Sequence, residues 1–115
     1  MNIEDIRAYC LSKKGVTEEF PFGESALVYK VMGRMFLLTD LNSELSVNVK
    51  CDPQQAVELR ERYPCVTPGY HMNKKHWNSI RIDGSVSDRL IREWIDHSYA
   101  KVLEKLPEKL KESCD

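Results

Sequence analysis

A chain of 115 residues with 42% apolar and 30% charged side chains has room for one core and one domain, spanning residues 1–115, and no room for a second. The balance is globular rather than disordered, and no apolar run approaches the ~18 residues of a membrane span. With 17 basic and 18 acidic side chains the net charge is −1, which argues against a surface covered in phosphate-binding groups.

In chain order, Asn2 can cap a helix whose Ile3, Ile6 and Cys10 share one face, with Lys14-Gly15 closing it through a basic last turn and a left-handed glycine. The start, Met1 to Asp5, lacks a basic and then apolar leader, which predicts a cytoplasmic protein. Phe20-Pro21-Phe22-Gly23 makes an aromatic-flanked turn. Ala26 to Met32 and Met35 to Thr39 read as strands joined at Gly33-Arg34, where glycine first suits a tight II′ hairpin. Leu45 to Lys50 alternates strictly, which predicts Leu45, Val47 and Val49 on a buried face and Ser46, Asn48 and Lys50 on a solvated one. Asp52-Pro53-Gln54-Gln55 starts a helix that ends before Pro64.

The run Thr67 to Asn78 follows. It holds two histidines, two lysines, two aromatics, two asparagines and no acid, with no apolar period, so it reads as a loop that binds something. Ser79 to Gly84 gives a short strand and a turn. Ser85 or Ser87 then caps the longest helix, whose Leu90, Ile91, Trp94, Ile95, Tyr99, Val102, Leu103 and Leu106 form one apolar face, and Pro107 ends or kinks it. The order α-β-β-β-α-β-α predicts an α+β fold, a mostly antiparallel sheet packed on one face by helices. The other face is then open to solvent.

Chemistry follows from the residue types. Positive charge gathers in the middle: residues 50 to 82 carry six basic and three acidic side chains, against three and five in residues 1 to 25. His71 and His76 are five apart with no Asp, Glu or Cys in the loop, which is no zinc set, so neither a metal nor a cofactor is expected. Cys10, Cys51, Cys65 and Cys114 form no C-x-x-C pair and read as small buried hydrophobes or tail. Ser79 near His76 has no nucleophile elbow. Glu18, Glu19 and Glu24 read as solvated acids, and no G-x-G cradle exists. The expectation is therefore a protein that is not an enzyme. Trp77 reads as core before it reads as a base-stacking ring.

Phe20-Pro21-Phe22-Gly23, Lys30 to Phe36, Val49-Lys50-Cys51-Asp52-Pro53, Thr67 to Trp77, Leu90-Ile91 and Ile95 to Tyr99 together resemble the MmcQ/YjbR family over nearly the whole chain. The most specific part is the central string from Pro68 to Trp77. The resemblance implies a CyaY-like α+β fold, a small bacterial cytoplasmic protein, and a sheet surface compared with double-wing DNA-binding domains. Residues and resemblance together predict a DNA-binding protein that uses the open sheet face and the Tyr70 to Trp77 loop. Lys50, Lys74, Lys75 and Arg81 would meet phosphate, Asn48, Asn73 and His76 would lie near base or sugar, and Lys30, Tyr70 and His71 would be neighbours. The alternative is a small-ligand or protein-interaction module in which the same loop walls a pocket and His71 or His76 orients an anion. A continuous positive stripe along the sheet favours the first, and a concave pocket beside the loop favours the second. A monomer outside the membrane is the expected state, with DNA the expected partner.

Overall fold

The computed structural model describes residues 1–69 and 72–109. Among these residues nine elements follow one another: α1 (Ile3–Leu11), β1 (Val16–Glu19), β2 (Ala26–Val31), β3 (Arg34–Asp40), β4 (Ser46–Lys50), α2 (Pro53–Arg62), β5 (Val66–Pro68), β6 (Trp77–Arg81) and α3 (Asp88–Glu104). The strands make one antiparallel sheet of order β1-β2-β3-β4-β6-β5. The fold is thus the expected α+β arrangement, extended at each edge by a short strand, β1 and β5.

Helix ends obey local chemistry. Asn2 accepts from the Asp5 amide while the Asp5 carboxylate accepts from the Asn2 amide, a reciprocal cap. Asp52 caps α2 with Pro53 in the first turn, and Ser87 caps α3. Two local expectations are corrected. Helix α1 stops at Leu11, before the basic pair, and Gly15 takes its positive φ in the turn into β1. The β2–β3 hairpin turns on Met32-Gly33, because Val31 pairs with Arg34 and both central residues have positive φ. Positive φ at both positions is the I′ geometry, whose twist matches the flanking strands.

Cross-strand register sorts the two faces, since directly paired residues point the same way. Tyr29, Leu37, Val49 and Asn78 form one row across β2, β3, β4 and β6. Asn78 donates to the Ala56 carbonyl of α2, so this is the helix face. Its core joins Ile6 and Cys10 of α1 to Ile91, Trp94, Ile95 and Val102 of α3 through Tyr29, Phe36, Val47, Val49 and Ile80. Arg7 grips Glu18 with two nitrogens at 2.9 and 3.0 Å, and the buried Tyr29 hydroxyl donates to the same carboxylate at 2.6 Å. The Arg7 and Tyr29 bonds hold the Glu18 carboxyl below its ordinary range.

The string Asp96-His97-Ser98-Tyr99, part of the family resemblance, turns out to be scaffolding. Asp96 accepts from Tyr9 and Lys13 of the α1 region, and Tyr99 donates to the Lys14 carbonyl at 2.6 Å. Ser98, fully buried, donates to the Phe36 carbonyl of β3 and accepts from the Lys50 amide of β4 at 2.8 Å. His97 Nε2 accepts from the Asp52 amide at 3.2 Å, which fixes the start of α2. Four successive side chains therefore tie α3 to four other parts of the fold.

His97 accepts that bond only when neutral, and burial, then the Lys101 charge, push its pKa below the ordinary 6.5. The unfolded chain then binds more protons than the native one below about pH 6.5, so stability rises with pH through this window. Thermal melts should show a midpoint that is highest above about pH 7 and falls as pH drops toward 5. His97→Gln should flatten that slope. A slope unchanged by the substitution would remove His97 as its source.

Candidate functional site

The face away from the helices carries the row Glu19, Val28, Leu38, Asn48, Ser79 and Thr67, one residue from each strand. The alternation in β4 predicts that Asn48 is solvated, and this is corrected: Asn48 is 7% exposed against 2% for Val49. The reason is tertiary. Three connections rise around this face, contributing Phe22 and Ser25 before β2, Ser43 and Glu44 after β3, whose last residue Asp40 joins them, and Met72 and Asn73 from the loop before β6. They enclose a hollow of about 1130 Å³ whose floor includes Leu38, Asn48, Thr67 and Ser79. That is room for a drug-sized molecule with solvent beside it.

The floor is polar at its centre and apolar around it. Asn48 Nδ2 donates to the Leu38 carbonyl at 3.3 Å, and its Oδ1 accepts from the Ser79 hydroxyl. Ala26, Met35 and Leu38 lie to one side, Pro68 and Met72 to the other. Phe22 stands on the rim with 69% of its surface exposed. Among the described residues, the charged groups lining the hollow are Asp40, Glu44 and Arg81. Arg81 is engaged by Asp83 at 3.4 Å and Glu44 at 4.0 Å, so no positive stripe runs along this face among the described residues.

The loop itself is held by residues outside it. Arg60 of α2 donates to Asn78 Oδ1 at 2.6 Å, to the Trp77 carbonyl at 3.2 Å and to the Lys74 carbonyl. Lys74 Nζ donates to the Gly69 carbonyl at 3.1 Å, so its charge serves the loop's own backbone. Gly69 is there for closeness: a Cβ would sit 2.8 Å from Cβ of Trp77, while its amide donates to the Trp77 carbonyl at 2.8 Å. Trp77 and Asn78 belong to β6 and are buried, so the loop is shorter than the sequence suggests.

The expected site residues separate into two groups. Asn48, Asn73 and Arg81 line the hollow. Lys50, Lys75 and His76 lie instead at a basic end, where the last turn of α3 and the start of β3 bring Lys101, Lys105 and Arg34. Burial, then Lys105, Arg34 and Lys101, lower the Lys50 pKa. Burial, then Lys105, Lys50 and Lys75, lower that of His76. Lys30, expected as a neighbour of the site, pairs with Glu19 at 3.2 Å. Tyr70 and His71 lie outside the described residues. Sequence reasoning missed Arg60, Leu38, Lys101 and Lys105, which no local motif marks; Arg34, Met35 and Met72 lie within the strings that carry the family resemblance but were given no role of their own.

No group of three or more metal-binding side chains occurs among the described residues. Burial pushes the Cys10 thiol up to about 12 and the Cys51 thiol up to about 11, so both are protonated at neutral pH and poor nucleophiles. No helix among the described residues is long and apolar enough to cross a membrane.

A helix-backed antiparallel sheet with a hollow on its other face is the class of protein that fold and site define. The family model described as YjbR matches residues 11–101, and the chain belongs to the YjbR family. It is 39% identical over 88 residues to protein YbdF of Escherichia coli O157:H7, covering 76% of this chain and 72% of that one. It is 31% identical over 109 residues to protein YjbR of Escherichia coli K12, covering 94% and 92%. The crystal structure of a Deinococcus radiodurans protein with a DUF419 domain superposes with a TM-score of 0.92 at 35% identity, over 98% of this chain and 87% of that one. A Pseudomonas syringae protein matches with a TM-score of 0.73 at 22% identity, over 85% and 96%, and shows the fold alone.

Proposed function

We propose that the protein is a non-catalytic binding module whose site is the hollow on the open face of the sheet. The observation that carries this reading is the placement of a nearly buried asparagine, hydrogen-bonded to Ser79, at the centre of a concave surface flanked by the apolar Met35, Leu38, Pro68 and Met72. Ligand sites are built this way: an apolar cavity gives affinity and a few convergent polar groups give orientation. Buried, unpaired Cys10, Cys51 and Cys65 suit a reducing compartment, and the proposal places the protein in the cytoplasm. The test is a fragment screen followed by two-dimensional NMR. Fragments should shift resonances of Asn48, Ser79 and Met72, and Thr67→Trp, which plugs the hollow from an exposed edge-strand position, should abolish the shifts without changing the melting temperature. Absence of any shift at millimolar fragment would overturn the reading.

The basic end supports a second reading, duplex DNA bound by charge. Lys50, Lys75, Arg34, Lys101 and Lys105 gather there, with Glu104 pairing Lys101 at 3.2 Å and Asp52 beside His76, and away from Arg81, which Asp83 and Glu44 engage. Anisotropy titrations at two salt concentrations should then give salt-dependent binding, and Lys75→Ala with Lys105→Ala should lower the log-log slope by roughly 2. A parent without affinity at low salt would end this second reading.

A further inference from the structure

Building on the hollow as a ligand site, we infer that its ligand is a planar, neutral or cationic molecule bearing a carboxamide-like edge, a hydrogen-bond donor beside an acceptor, and that it is not an anion. The first ground is the asparagine. Its amide offers two N–H donors and an oxygen with two lone pairs. Leu38 takes one donor and Ser79 one lone pair, which leaves one donor and one acceptor, side by side, on a side chain that lines the hollow and is 7% exposed. A partner that carries the reverse pair satisfies both at once, which is how asparagine reads the edge of adenine. Primary carboxamides, lactams and amino-heterocycles share this edge.

The second ground is charge. Among the described residues, Asp40 and Glu44 line the hollow, and the cation that lines it, Arg81, is flanked by Glu44 and Asp83. A carboxylate or phosphate entering here meets two exposed acids at the mouth, and the cation it could use is already shared between two carboxylates. A neutral or positive group meets no such barrier. The third ground is shape. Met35, Leu38 and Met72 provide soft apolar surface, and thioethers pack well on aromatic rings. Phe22 holds a ring at the rim with 69% of its surface in water. A flat ligand over Leu38 would cover that ring and stack on it.

The experiment compares matched pairs on the full chain by NMR titration: benzamide against benzoate, nicotinamide against nicotinate, with toluene as the apolar control and adenine as an amino-heterocycle. The amide of each pair should bind at least tenfold more tightly than its carboxylate and should move the Asn48 side-chain amide and the Phe22 ring. Asn48→Asp should cost the amides at least tenfold without any gain for the carboxylates. Phe22→Ala, at an exposed rim position, should weaken every aromatic ligand several-fold, and it serves if the buried aspartate unfolds the protein. Carboxylates that bind as well as amides, or toluene that binds as well as benzamide, would overturn this ligand class while leaving the hollow a binding site. Absence of binding by every compound, toluene included, would overturn both.

Discussion

Trp94→Ala is expected to cost about 3 to 5 kcal/mol, the range for truncating a large aromatic in a core. Trp94 is 6% exposed and sits among Ile91, Ile95 and the sheet residues of the core. Its ring meets Tyr63 edge-on with centroids 5.2 Å apart, a contact that adds to the burial term. Alanine would leave a void under the longest helix, whose partners β3 and β4 cannot close in because Ser98 fixes both strands to α3. Domains of this size hold together by about 5 to 15 kcal/mol, so the variant should melt at least about 6 °C below the parent by the scaling of about 2 to 8 °C per kcal/mol. Arg89→Ala on the exposed side of α3 should melt like the parent. A Trp94→Ala protein that also melts like the parent would show α3 to be peripheral.

What the sequence made legible was whatever depends on neighbours in the chain. Asn2, Asp52 and Ser87 act as caps because a cap is a contact three residues long. Four of six strands carry a readable pattern. The two that do not are edges: β1 is Val16–Glu19, with acids at half its positions, and β5 is Val66–Pro68, whose proline suits an edge. Pairing with a neighbour, not propensity, makes them strands.

The site was less legible because its burial is non-local. Period-two alternation correctly places Ser46, Asn48 and Lys50 opposite Val47 and Val49. It cannot say that three loops would wall that face and bury Asn48. Charge counting fails in a similar way. Lys30, Lys74 and Arg81 look like free cations in the chain, yet Glu19, the Gly69 carbonyl and Asp83 engage them in space. Lys101 and Lys105 carry no signal in the chain, yet the length of α3 places both beside Lys50, where Lys101 also pairs with Glu104 at 3.2 Å.

Arg60→Met should be the most disruptive change outside the core, because it removes the cationic donors that hold the loop while keeping the aliphatic stem. Asn78 is 1% exposed, and its Oδ1 accepts from Arg60 Nε at 2.6 Å. Losing a charged donor and leaving that oxygen in a dry site should cost about 2 to 4 kcal/mol. The Trp77 and Lys74 carbonyls lose the same guanidinium, so amide exchange should accelerate at residues 72 to 77 beyond the global change. That regional effect separates a loop staple from a generic loss of stability. The cycle with Asn78→Leu sharpens it: once both partners are apolar no buried oxygen waits for a donor, so the double variant should be more stable than the sum of the singles implies, by about 0.5 to 3 kcal/mol. If the two changes prove additive and exchange in the loop follows the global rate, Arg60 is not what positions Met72 and Asn73 over the hollow.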